Sequence, residues 1–206
     1  LEDDCLPDAS FFTFCEELLE KYEHDHSISM IGATNYQLIS NTDKSYYFSV
    51  YSHVWGWATW RRTWSLYNYT ILDYKKQIID RNFKTRGERN YWHKIFSNSK
   101  IILSLDAWDY QLQFLNFKHN MVSIIPNINL VKNIGLLNGT HTGTEVPDFH
   151  FKRRFGNIEK IIHPIYIQRD YEADLYFYEN MLSLPEPSFA TKVKGFFYKI
   201  YQRLFI

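Results

Sequence analysis

Phe11, Phe14, Cys15, Leu18, Leu19 and Tyr22 recur at the spacing of one helix face, and the chain then changes to apolar runs of strand length. The first run, 28–31, stops at Gly32. The second, 46–51, is rich in Tyr and Phe, and 122–125 and 130–134 follow on either side of Pro126. A helical period that gives way to short apolar runs restricts the chain to strands covered by helices, because neither element buries its apolar face alone. Further helices are predicted over 58–67, with Trp60 and Trp64 on one face, and over 74–83 and 88–96, with Gly87 between them. Another is predicted over 107–117 with Asp106 as its N-cap, while Asp8 or Ser10 caps the first helix. A loop over 141–155, an extended piece at 161–167 and a helix at 174–182 complete the alternation. The class is α/β, and 206 residues suit one domain with a proper core.

Leu1-Glu2-Asp3-Asp4-Cys5 sets three carboxylates in succession just ahead of the first helix. The order reads as a strand that ends in carboxylates and turns into a helix. Adjacent carboxylates repel, and a cation relieves the repulsion. Oxygen donors suit Mg2+ or Mn2+, ions that often hold phosphates too. A solvated acidic turn is the other reading. Asp106-Ala107-Trp108-Asp109 places two carboxylates at the opening turn of one helix, where the helix dipole favours them. From there a carboxylate can also take a proton from a hydroxyl. Trp55-Gly56-Trp57 offers flat rings for the C–H faces of a sugar and a glycine that allows close backbone approach, with ordinary core packing as the alternative. Trp60 and Trp64 are expected in the core. His141 lies beside a segment, 135–143, with the composition of a closing loop. An exposed loop histidine is the alternative there, and a surface role is the default for Lys132 and Asn133.

Taken in order, four blocks resemble the GT-A nucleotide-sugar glycosyltransferases, nearest to N-acetylglucosaminyltransferase I and related bacterial sugar transferases. They are Leu1-Glu2-Asp3-Asp4; Tyr46-Tyr47-Phe48 with Val54-Trp55-Gly56-Trp57-Ala58-Thr59-Trp60-Arg61-Arg62; Trp108-Asp109-Tyr110-Gln111; and Ile125-Pro126-Asn127-Ile128-Asn129-Leu130-Val131 running to Gly135 and His141-Thr142. The resemblance implies a GT-A-like mixed sheet flanked by helices, with 1–183 as part of a catalytic domain. The first half of the sheet and the base pocket would lie upstream of Leu1, so this chain alone is not expected to be a competent enzyme. It implies Mn2+ or Mg2+ held by Asp4, with His141 as an added ligand. Glu2 and Asp3 would face ribose or metal-bound water. Trp55, Gly56 and Trp57 would stand beside the donor sugar, Trp108 would pack on it, and Asp109 would act as general base. The donor would be a nucleoside-diphosphate sugar and the acceptor a glycan or lipid-linked glycan, with inversion at the anomeric carbon.

Formal net charge is zero, which argues against a nucleic-acid surface. Two cysteines do not make a disulfide framework, and a cytoplasmic setting is the simpler expectation. Asn68-Tyr69-Thr70 and Asn138-Gly139-Thr140 match the glycosylation acceptor pattern and are read as chance matches. No apolar run is long enough to span a bilayer. After Pro185 and Pro187, residues 184–206 form a linker and a basic amphipathic helix. Lys192, Lys194, Lys199 and Arg203 stand there without an acid among 189–206, a pattern that suits peripheral contact with the inner face of an anionic membrane or packing on a partner. No Gly-x-Ser-x-Gly elbow suggests a covalent nucleophile. A sugar nucleotidyltransferase and a non-catalytic carbohydrate-binding protein are the rival functions.

Overall fold

The computed structural model describes residues 1–39, 42–98, 107–135 and 152–183. Four strands, Ile28–Gly32 (β2), Tyr46–Ser49 (β3), Trp57–Thr59 (β4) and Val122–Pro126 (β5), form a sheet in the order β3-β5-β2-β4. The two central strands run parallel and the outer pairings are antiparallel, so the sheet is mixed. Every residue of β2 is buried, as expected of a central strand that reads as one apolar run. A separate ribbon pairs Cys5–Pro7 (β1) with Val131–Asn133 (β6), antiparallel. The helices are Ser10–Lys21 (α1), Arg61–Trp64 (α2), Lys76–Asn82 (α3), Arg86–Phe96 (α4), Asp109–His119 (α5) and Tyr171–Phe177 (α6), the last running into a π-helical turn at Tyr178–Leu182. The coarse expectation of an α/β fold with helices flanking a mixed sheet agrees with this.

Two apolar clusters hold these layers. Phe11, Phe14, Cys15 and Leu18 of α1 pack with Ile28, Ile31, Tyr46, Phe48 and Ile124 of the sheet. Ala9 is the N-cap of that helix, and Asp8 just before it takes the Ser10 backbone N–H at 2.9 Å and its hydroxyl at 2.6 Å. A second cluster lies beyond β3, where Val50, Tyr51, Ile79, Phe83, Trp92, Phe96, Phe114 and Phe117 meet. Residues 111–117 of α5 are all buried, polar ones included. Those amides are not idle: Gln113 donates to the Val50 carbonyl at 2.8 Å and accepts from Ser52 N–H at 2.8 Å, and Asn116 donates to the Ser123 hydroxyl at 3.0 Å. They fasten α5 to the segment leaving β3 and so fix where the helix begins.

Several local expectations are corrected. Trp57-Ala58-Thr59 is strand, not helix, because it pairs with Gly32, Ile31 and Met30, and Thr59 donates its hydroxyl to the Ser29 carbonyl at 2.7 Å. Helix is confined there to the single turn of α2. Gly87 does not separate two helices but sits in the first turn of α4. Thr85 caps that helix from the Glu88 N–H at 3.2 Å and gives its hydroxyl to the Glu88 carboxylate at 2.8 Å. A Cβ at Gly87 would meet the Tyr178 hydroxyl at 2.7 Å. The acidic triplet precedes strand β1 and does not end a strand. Residues 161–167 form no strand. Helix near the end starts earlier than predicted, at Tyr171, under an Asp170 cap. Both cysteines are free and buried. No helix among the described residues is long and apolar enough to cross a membrane. Asp106, Asn138, His141 and the 184–206 segment lie outside the described residues.

Candidate active site

The β1–β6 ribbon places the acids. Ile134 N–H donates to the Asp4 carbonyl at 2.8 Å, and Cys5 N–H closes a turn onto the Glu2 carbonyl at 3.1 Å. Gly135 lies so close that a Cβ there would collide with the Asp4 carboxylate. One ligand atom each from Glu2, Asp4 and Cys5 falls within 4.8 Å of the others. Burial pushes the Cys5 thiol up to about 11, so it stays protonated, and its Sγ donates to Asp4 Oδ1 at 3.6 Å. The cluster therefore offers two carboxylates beside a thiol that is protonated in the absence of a metal. Asp3 is exposed and does not join it.

The start of α5, more than a hundred residues on in sequence, comes to the same place. Glu2 is raised from its ordinary value by partial burial first and then by Asp4, with Asp109 adding to the shift and the Trp108 side chain opposing it. Trp108 is the N-cap and Asp109 the first helical residue, whose Oδ1 accepts the Tyr110 N–H at 3.1 Å. A carboxylate at this position is favoured by the helix dipole. Tyrosines surround it. Burial, with the Asp109 charge behind it, raises the Tyr110 phenol, and Asp109 also contributes at Tyr36, Tyr67 and Tyr91. Tyr67 donates its hydroxyl to the Trp108 carbonyl at 3.2 Å.

Rings form a wall beside Asp109. Trp108 and Trp57 lie 5.0 Å apart at 31°, Trp57 and Trp64 lie 5.9 Å apart, and Trp64 stacks on Tyr67 at 4.7 Å and 14°. Trp64 is 46 % exposed, so its expected core position is corrected. Trp60 does pack against the first cluster, with its indole N–H on the Leu19 carbonyl at 3.0 Å. Gly56 has φ +71°, and a Cβ there would strike Val131 at 2.5 Å and Ala33 at 3.0 Å. Its glycine is thus required by backbone and packing. Trp55 turns to other partners: its ring lies 6.1 Å from Tyr36 and 5.1 Å from the Arg153 guanidinium.

Of the residues singled out in the sequence, Glu2, Asp4, Trp57, Trp108 and Asp109 come together. Trp55 stands one ring away through Tyr36, Gly56 is structural, and Asp3 is apart. Tyr36, His53, Tyr67 and Arg153 were missed. Each is a single residue in a connecting segment, with no spacing or motif to announce it. No protein-family model matches the chain, and no curated protein matches it.

Proposed function

We propose that this chain is the metal- and acceptor-side part of a GT-A-type glycosyltransferase, moving a sugar from a nucleoside diphosphate to a glycan or lipid-linked acceptor with inversion. The observation that carries this is the meeting of Glu2 and Asp4 with Trp108 and Asp109, more than a hundred positions apart in sequence. Glu2 and Asp4 would hold Mn2+ or Mg2+, with His141 as an additional ligand. When bound, the ion would neutralise the departing diphosphate. Asp109, at the start of its helix, would accept the proton of the acceptor hydroxyl as that oxygen attacks the anomeric carbon. Trp57 and Trp108 would present rings to the sugar and help exclude water. Of the donor-side residues that the resemblance implies, Trp55 stands beside Arg153, Gly56 serves the backbone and Asp3 lies outside the acidic cluster. The basic 189–206 segment would bring a lipid-linked acceptor within reach at a membrane surface.

Mn2+ titration followed by electron paramagnetic resonance, with and without a nucleoside diphosphate, tests the metal assignment. Asp4→Asn should weaken Mn2+ binding at least tenfold and Asp3→Asn should leave it close to wild type. Equal Mn2+ binding by wild type and Asp4→Asn would remove the metal site from this reading.

A further inference from the structure

Arg153 is 4 % exposed, yet its Nε and Nη1 are buried with no hydrogen-bond partner. No described carboxylate pairs with it. Arg169, the other deeply placed arginine, by contrast meets Asp174 at 2.5 Å. What surrounds Arg153 is rings: Trp55 at 5.1 Å, Tyr36 at 5.3 Å and Phe155 at 5.6 Å from the guanidinium carbon. These distances are near the outer limit of useful cation–π attraction, so the rings shelter the charge more than they neutralise it. His53, also buried, lies on the other side of Tyr36 at 4.7 Å. Burial and then the Arg153 charge hold that imidazole neutral, lowering it to about 3. The cluster thus carries one full positive charge and a second basic group with no counterion among the described residues. An unpaired buried charge is among the most costly features a fold can keep, and one retained beside a candidate site points to a ligand that supplies the missing charge. Tyr36 links the cluster to that site, because its phenol feels the charges of both Arg153 and Asp109.

We propose that Arg153 is an anion-binding residue and that its ligand is a phosphate group, taken up within the cage of Tyr36, Trp55 and Phe155. A guanidinium is suited to this by its fixed donors and permanent charge. Phosphate oxygens can accept from both nitrogens that now have no acceptor. The glycosyltransferase reading is needed only for the source of the phosphate, a nucleoside diphosphate. A simple sugar phosphate would satisfy the same chemistry.

The test is titration of the full chain with inorganic pyrophosphate in EDTA, read by calorimetry and by tryptophan fluorescence. EDTA strips any cation from Glu2 and Asp4, so this proposal and the metal assignment fail independently. Saturable binding is expected, weakened at least tenfold in Arg153→Gln and retained in part in Arg153→Lys. Uridine diphosphate and glucose 1-phosphate, titrated in parallel, separate the sources: whichever binds more tightly is the class served. Without ligand, Arg153→Gln should melt at or above the wild-type temperature, because it removes an uncompensated charge. No pyrophosphate binding by wild type, or equal binding by Arg153→Gln, overturns the proposal. So does a melting temperature that falls in Arg153→Gln and is restored in Arg153→Lys without any phosphate affinity, which would make the residue structural.

Discussion

Removing the Asp174 carboxylate should loosen the far end of the fold more than any single surface change. This side chain is 1 % exposed and accepts from Ser49 Oγ at 2.5 Å, Val50 N–H at 3.2 Å and Arg169 Nε at 2.5 Å. Arg169 also donates to the Asn82 carbonyl at 2.5 Å, so one ion pair ties α6 to β3 and to the end of α3. Asp174→Ala leaves a guanidinium and two other donors unmet, and breaking a buried pair in this way costs about 3–5 kcal/mol. Asp174→Asn keeps the shape and loses the charge. Burial holds the carboxyl up at about 6 from an ordinary 3.8, against the downward pull of Arg169 and the hydrogen bonds. A carboxyl raised in the folded state takes up its proton there before the unfolded chain does. Its contribution is therefore largest in acid and is lost as pH rises through about 6, by ~3 kcal/mol across the window from 4 to 6. Urea unfolding followed by circular dichroism at pH 4 to 7.5 measures this. Wild-type minus Asp174→Asn stability should rise by ~3 kcal/mol on acidification. A difference that is flat, or that shrinks in acid, would show that Arg169 outweighs burial and that the reasoning is wrong. Phe177, on the same helix, lies 5.0 Å from Tyr36 and 4.6 Å from His53.

Leu18, fully buried between α1 and the sheet, should cost about 3 kcal/mol as Leu18→Ala in a denaturant melt, with no change in the slope of the transition. Thr85→Ala removes the α4 cap and should cost about 1 kcal/mol, while Thr85→Ser should keep most of it. Gly56→Ala must adopt a positive φ and displace Val131, so a loss of more than about 2 kcal/mol is expected by thermal melting, and a neutral result would mean that β4 is entered differently. Cys15, its thiol pushed up to about 12 by burial, should react with a thiol reagent only after unfolding, and rapid labelling of the native chain would contradict its placement.

Long unbroken runs made α1, α4 and α5 legible, with Asp8 as an added signal before α1, while the Thr85 cap of α4 is visible only in the structure. Strand β2 was legible because a fully buried run cannot alternate. The Trp57–Thr59 strand was not, since Trp60 and Trp64 imitate a helix face and only the pairing with β2 decides against it. At the site, the motif residues Glu2, Asp4 and Trp108-Asp109 carry local signals, but nothing in the sequence places the two ends side by side. Arg153 was invisible for a related reason. Its meaning comes from the absence of a partner, and a sequence shows only which partners exist.

The most direct measurement is consumption of nucleoside-diphosphate sugars by the protein, followed by 31P resonance with Mn2+ and a glycan acceptor. The account predicts that at least one sugar nucleotide is turned over. That turnover should stop on removal of the metal and fall about a hundredfold or more in Asp109→Asn, with folding intact. Turnover undiminished in Asp109→Asn, or none with any sugar nucleotide under any metal condition, would contradict it.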